Sequence, residues 1–185
     1  MDLPAEMTLT VHYNDSDVVN AYATLGGHIV IYRGLIEKMS SENALAMVVA
    51  HEIAHIKHRD PIVSLGRSAM ATLALSAITG NSGADVLGSA GLYTLLKFNR
   101  DMESVADVEA LNALQNHYGH VQGATQLFQV LQQQHQSHEQ DLEFFRTHPL
   151  NEHRITVIQQ FLDNLSQRTT DLIAISDQLF DEANE

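Results

Sequence analysis

Apolar and polar residues alternate over Met7-Thr8-Leu9-Thr10-Val11-His12-Tyr13, a period of two that predicts a β-strand. Asn14 to Asp17 reads as a turn. Ala21 to Leu25 and His28 to Tyr32 flank Gly26-Gly27, which predicts a β-hairpin whose glycines supply the positive φ angles of a tight turn. Gly34 ends it. The pattern changes from about Ser41. Ala44 to Ala50 is apolar all round, so the helix it belongs to is expected to be buried on every side. Ser40 or Ser41 can cap that helix, and Lys57, His58 and Arg59 suit the negative end of its dipole. Asp60-Pro61 stops it and can start the next, with Asp as cap and Pro at the first helical position.

Further along, Ser68 to Phe98 is rich in small residues and is interrupted by Gly80 to Asp85, which predicts two helical pieces around a loop. Its uninterrupted apolar core, AMATLALSAI, is ten residues long. A bilayer span needs roughly 20. The segment therefore reads as a mobile lid, a membrane-facing flap or a plain helical hairpin. Ala124, Leu127, Phe128 and Leu131 recur at helical spacing, as do Ile155, Ile158, Leu162 and Leu165. Leu172, Ile175 and Leu179 suggest a last short helix. Gln132 to Gln140 reads as a helix end or loop, and the acidic residues 181–185 as a frayed tail. The result is an α+β fold, predominantly helical, in one domain over 1–185. Residues 1–33 are β-rich and 41–185 helical, with the small sheet packed on the buried helix.

Composition narrows the partners. The chain has 185 residues, enough for one sizeable core, and a formal charge of −13 from 10 basic and 23 acidic residues. Such a surface excludes nucleic acid as a partner, because phosphate contacts need clustered Lys and Arg. It also lacks a polybasic segment for anionic lipid. With no cysteine, disulfides, cysteine zinc sites and thiol nucleophiles are excluded. The start, MDLPAEMTLTVHY, lacks the basic and apolar regions of a signal peptide, which predicts either a cytoplasmic protein or a mature, trimmed domain.

The chemistry lies in VVAHEIAHIKH, residues 48–58. Burying two histidines and a glutamate without partners costs several kcal/mol, roughly. His51 and His55 are four apart and share one helical face, about 6 Å apart along the axis, the span needed to grip one metal ion. Glu52 is then placed to act on a metal-bound water, the logic of H-E-x-x-H. The bland reading is a chance pentapeptide with satisfied core histidines. The apolar setting argues for a metal, the simplest partner for both rings. A third histidine in the longer H-E-x-x-H-x-x-G-x-x-H pattern would fall at Pro61, with Gly wanted at His58, so that variant is excluded. After Asp60 the next acid is Asp85, in a Gly/Ser loop. Glu103 and Asp107 follow, four apart on one helical face. Glu103 is assigned as the third ligand, and Asp107 as the acceptor that fixes a ligand histidine's tautomer. A solvated acidic face is the plain alternative for that pair.

HEIAH at 51–55 followed by ESVAD at 103–107 resembles the gluzincin metallopeptidases that include HtpX, the CAAX prenyl proteases and the Oma-type mitochondrial and bacterial periplasmic proteases. NAYATLGGHIVIYRGLI is similar to that family's strand leading to the active-site helix, and THPLNEHRI to its T-H-P-x-x-x-x-R-I segment. The resemblance implies a zincin-like domain, one Zn2+ per chain and endopeptidase activity. It further implies a role in quality control of unfolded or misassembled membrane or envelope proteins. It places the protein in the bacterial periplasm or at the envelope, with the cytoplasm as the alternative and any membrane association through segments outside this chain. The chain lacks clear membrane spans and C-terminal helical repeats, which argues against prenyl-protein processing.

In the mechanism so expected, zinc held by His51, His55 and Glu103 acidifies a water and Glu52 takes its proton. His148 and Arg154 are the candidates for a further donor to the developing oxyanion. His148 has two other readings, a helix-entry residue before Pro149 or a latch in the open zinc position. Arg154 could instead hold the Glu103 helix by an ion pair. His153 is expected on the surface; His12, His117, His120, His135 and His138 are treated as background. The strand after Gly27 is expected to lie along the cleft as an edge, where substrate can add as a strand. Two other classes stay open. One is a zinc-containing, chaperone-like or binding module with latched, low peptidase activity; the other is a structural zinc domain with His148 as fourth ligand.

Overall fold

The structure is a computed structural model that describes residues 3–79, 98–129, 144, 147–149, 152–164 and 171–176. Three strands come first: β1 (Thr10–Asn14), β2 (Ala21–Thr24) and β3 (His28–Tyr32). β2 and β3 form the expected antiparallel hairpin, with Ala23 opposite Ile29. Gly26 and Gly27 take φ of 81° and 82° in its turn, where a side chain on Gly27 would collide with the Thr8 carbonyl. β1 pairs in parallel with β3, Val11 opposite Ile29, so the strand order is β1-β3-β2. This corrects two expectations. Met7 to Leu9 lie outside β1. More consequentially, β3 is central and has both edges used, so the strand that presents an edge beside the buried helix is β2.

Helix α1 (Arg33–Lys38) follows β3 directly. The expectation that Gly34 ends the hairpin leaves no place for this helix, which begins one residue before it. Gly34 is there for a different reason. Its amide donates to Ser16 O at 2.9 Å, and a Cβ would meet Asp17 O at 2.1 Å. Helix α2 (Glu42–Lys57) starts at Ser41, whose hydroxyl accepts from the Ala44 amide. α2 ends one residue before His58, and Arg59 turns the corner with φ of 59°. Helix α3 (Asp60–Thr79) begins at Asp60, and the first backbone amides are received by Arg59 O rather than by an Asp60 cap. The second helical piece and the loop expected within 80–97 lie outside the described residues.

Helix α4 (Arg100–Tyr118) runs against α2 in the opposite sense: Tyr118 Oη donates to Glu42 at the start of α2, while Glu103 meets His55 near its end. Residues 126–129 are helical, and helix α5 (Glu152–Asp163) carries the second amphipathic pattern. Leu131, Leu165, Gln132 to Gln140 and the tail fall outside the described residues. The last short helix is not formed over the described part, 171–176. There the backbone crosses the start of α2 instead. The Glu42 amide donates to Ile173 O at 2.8 Å, and the Ile173 amide to Asn43 Oδ1 at 3.0 Å. The first-turn amides of a helix lack partners within it, and this segment supplies one.

The all-round apolarity of α2 has a simple cause. One face, Ala44, Val48 and Ile56, packs on the sheet with Ala21, Ala23, Ile29 and Leu35. Another, Met47 and Ala50, packs on α4 and α5 with Ala110, Leu111, Leu114 and Ile158. Buried between two layers, α2 is held rigidly. Among the described residues, no helix is long and apolar enough to cross a membrane.

Candidate metal centre

α2 and α4 bring the predicted ligands together. His51, His55 and Glu103 meet in the interior with His148, and one ligating atom of each lies within 4.8 Å of the others. His55 Nε2 is 3.0 Å from His51 Nε2. His51 Nε2 is 3.4 Å from His148 Nδ1 and 3.5 Å from Glu103 Oε2. Glu103 Oε1 is 3.1 Å from His148 Nδ1 and 3.5 Å from His55 Nε2. A tetrahedral ion with ligands at about 2.0–2.1 Å has edges of about 3.3 Å. The separations scatter around that edge, so the four residues fit one tetrahedral cation.

The next layer orients the rings. His51 Nδ1 lies 3.0 Å from Asp107 Oδ1, and His55 Nδ1 lies 2.8 Å from Asp60 Oδ2. Each Nδ1–H donates to its carboxylate, which leaves the Nε2 lone pair facing the cluster. Asp107 lies against His51 Nδ1, on the helix that carries Glu103. Asp60 is a correction: it is the partner of His55 rather than a helix cap. Its signal was present, an acid five residues after His55 beyond a sharp turn, but the Asp-Pro pair read more simply as punctuation. Phe98 was also missed. Its ring stacks on His55 with centroids 4.0 Å apart, and Phe144 stacks on His148 at 4.6 Å.

Arg154 is 1% exposed. Its Nε and Nη2 donate to the two oxygens of Asp107, each at 2.7 Å, and Nη1 lies 2.6 Å from Glu103 Oε2. Of the two expectations for it, the geometry has the ion pair that holds α4. His148 ends a helical turn, its amide donating to Phe144 O at 2.8 Å. Residues 150–151, between Pro149 and α5, are outside the described residues. Glu52 Oε2 accepts from the Ala23 amide of β2 at 2.7 Å. Its Oε1 is 3.4 Å from His148 Nε2, and both atoms are buried without a hydrogen-bond partner. His153 is exposed, as expected; His135 and His138 are outside the described residues.

The electrostatics point the same way. Burial alone would push Glu103 up, but His148, His51 and His55 hold it well below the usual carboxylate range. Burial likewise opposes the ionisation of Asp107, and Arg154 and His51 outweigh it. Burial would lower His51; hydrogen bonds with Asp107 and Glu103 overcome that and lift it to about 10. The pocket is thus built around a positive charge, supplied by a proton or by a metal that displaces it.

The chain is also similar to proteins of known name. A putative β-barrel assembly-enhancing protease of Vibrio cholerae is 29% identical over 151 residues, which are 75% of this chain and 31% of that protein. The β-barrel assembly-enhancing protease of Escherichia coli K12 is 27% identical over 154 residues, 76% of this chain and 32% of the relative. The mitochondrial metalloendopeptidase OMA1 of Schizosaccharomyces pombe is 25% identical over 165 residues, 85% of this chain and 48% of the relative. The chain therefore spans about a third of the length of the bacterial relatives. With residues 1–162 matched by the profile of peptidase family M48, and the α+β architecture of a helix-borne HEIAH site beneath a small sheet, the chain belongs to that family.

Proposed function

We propose that this protein is a zinc-dependent endopeptidase whose metal is held by His51, His55 and Glu103. The observation that carries the reading is the set of tetrahedral-edge spacings, with both histidines aimed by carboxylates and Glu52 alongside. Zinc, when bound, supplies a Lewis acid that makes a water acidic near neutral pH. Glu52, fixed by the Ala23 amide, accepts that proton and later delivers it to the leaving amine. Arg154 donates to Asp107 and Glu103 and also reaches the Pro149 carbonyl, which supports a part in holding the ligand and the tautomer partner in place rather than in meeting an oxyanion.

His148 supports a latch. Its Nδ1 occupies the fourth corner, and it must leave that corner before water or substrate can use it. Once displaced, it is placed beside Glu52 as a donor to the reacting carbonyl. Substrate pairs along β2, whose Ala23 amide already touches the catalytic carboxylate. Unfolded or misassembled envelope proteins, met in the periplasm, are the proposed substrates, in keeping with the names of the bacterial relatives. The contact of His148 with the ligand set also favours a second reading, a zinc-bearing binding module that stays latched.

The test combines zinc content with casein cleavage for wild type, Glu52→Gln and His148→Ala. Glu52→Gln should keep zinc and lose about 10²–10⁴ in rate. Equal cleavage by Glu52→Gln and wild type refutes the peptidase. A gain in His148→Ala supports the latch, and a loss supports an oxyanion role. If neither wild type nor His148→Ala cleaves although both hold zinc, the binding module is the better reading.

A further inference from the structure

A cavity of about 350 Å³ opens beside the catalytic region, between the hairpin turn and the corner that joins α2 to α3. Met7, Leu25, Ile56 and Ile62 give it an apolar lining, and Glu6 and Arg59 add one charge of each sign. Leu25 and Ile62 are 44% and 57% exposed, so large apolar side chains stand at an open rim. An engineered cavity of roughly 150 Å³ suffices for benzene, so this one accommodates a large side chain with room to spare.

Two rulers fix where it lies relative to Glu52. Along α2, Ile56 is four residues beyond Glu52, on the same helical face and about 6 Å further on. Along the hairpin, Leu25 lies two residues beyond Ala23, whose amide holds Glu52, and one residue past the end of β2, each extended residue adding about 3.3 Å. Helix and strand thus run together from the catalytic carboxylate to the cavity, and both give a separation of roughly two residues of extended chain. The contact with Glu52 also shows which strand edge matters: the Ala23 amide points away from β3 and towards the site. A peptide lying on that edge leads straight into the cavity. Antiparallel pairing, the more stable arrangement, puts the residue that reaches it on the N-terminal side of the scissile bond.

We propose that this cavity is a specificity subsite that takes a large apolar side chain, such as Leu, Met or Phe, about two residues before the scissile bond of an extended substrate. The proposal rests on the peptidase reading and names its substrate class. Chains with exposed apolar residues in extended form are those that have failed to fold, because folded proteins bury them.

The experiment uses two blocked, fluorescently labelled peptides that differ only by Leu or Ser at that position. Binding is measured with zinc-loaded Glu52→Gln protein, and kcat/KM with the zinc-loaded wild type. The Leu peptide should bind at least about tenfold tighter and be cleaved with a correspondingly larger kcat/KM, as expected for burial of one large apolar side chain. Ile62→Asp, on the exposed rim, should abolish the preference while leaving zinc content and thermal stability unchanged. Equal affinity for the two peptides overturns the proposal, as does a preference that survives in both Ile62→Asp and Leu25→Ser. So does a change of oligomeric state in Ile62→Asp with peptide affinity intact, which would assign the rim to contact between copies. Failure of the peptidase reading looks different: zinc-loaded wild type cleaves neither peptide, whereas the pair of affinities still reports on the cavity.

Discussion

Replacing Arg154 by Met removes the guanidinium but keeps much of the stem that packs near Phe128, whose ring centre is 5.2 Å from the Arg154 charge. What remains is two carboxylates, Asp107 and Glu103, both fully buried and deprived of the cation at 2.7 and 2.6 Å. Breaking a buried ion pair from one side costs about 3–5 kcal/mol, because the partner stays charged and out of water. With a urea slope of about 2 kcal/mol per molar, the unfolding midpoint of the metal-free protein should fall by about 1.5–2.5 M. Circular dichroism follows the transition, since the chain has no Trp. On the proposed reading zinc would neutralise part of the Glu103 charge, so the deficit should shrink when zinc is added. Arg154→Lys keeps the charge without the two-pronged geometry and should fall in between. The double variant Arg154→Met, Asp107→Asn removes one stranded charge along with its partner. It should lose less than the sum of the single losses by about 1 kcal/mol or more. A midpoint shift in Arg154→Met below about 0.3 M, or strict additivity, would refute the view that Arg154 neutralises this buried pair.

Asp60→Ala leaves the His55 Nδ1 proton without its acceptor, so zinc affinity, read by competition with a chromogenic chelator, should fall about 10–100-fold; unchanged affinity would return Asp60 to a purely local role in the turn. Gly34→Ala places a methyl against the Asp17 carbonyl, a backbone atom that cannot swing aside. It should cost about 1–3 kcal/mol, seen as a drop of several degrees in Tm, and a neutral result would mean that the 15–18 loop yields freely. Glu109 bonds Lys57 Nζ at 2.9 Å and His58 Nε2 at 2.8 Å, joining α4 to the end of α2. Burial opposes its ionisation, but these partners lower its pKa, so its contribution is present above the unfolded value and lost as pH falls through the folded one. Glu109→Gln should therefore cost about 0.2–1 kcal/mol near neutral pH, discounted for exposure to solvent, and nothing well below pH 4. A deficit that persists in acid would contradict this sign.

How much of the site could be read beforehand depended on the range over which each contact is decided. His51 and His55 share a face because a helix repeats every 3.6 residues, and the apolar run around them makes the helix a buried one. Glu103 and Asp107 follow the same rule on α4. The paired glycines of the hairpin are equally local, as only they adopt positive φ at no cost. Asp60 was misread because its neighbour Pro61 offered a complete local explanation, while its actual partner lies across a turn. The tail at 171–176 was misread for the opposite reason. Its apolar spacing suits a helix, yet the open amides at the start of α2 provide a better use for its backbone.

The two histidines on one face of α2, the glutamate between them, the acidic pair Glu103 and Asp107 and the helical frame that carries them were legible in the sequence alone. These are matters of spacing along one element. Packing alone leaves β2 rather than β3 at the edge of the sheet beside α2, since strand order depends on pairing with β1. Packing alone brings Arg154 onto Asp107 and Glu103, His148 into the cluster with His51 and Glu103, and a cavity against Ile56, one helical turn beyond Glu52. Each of these joins residues far apart in the chain, and no periodicity reports a contact that only packing brings about.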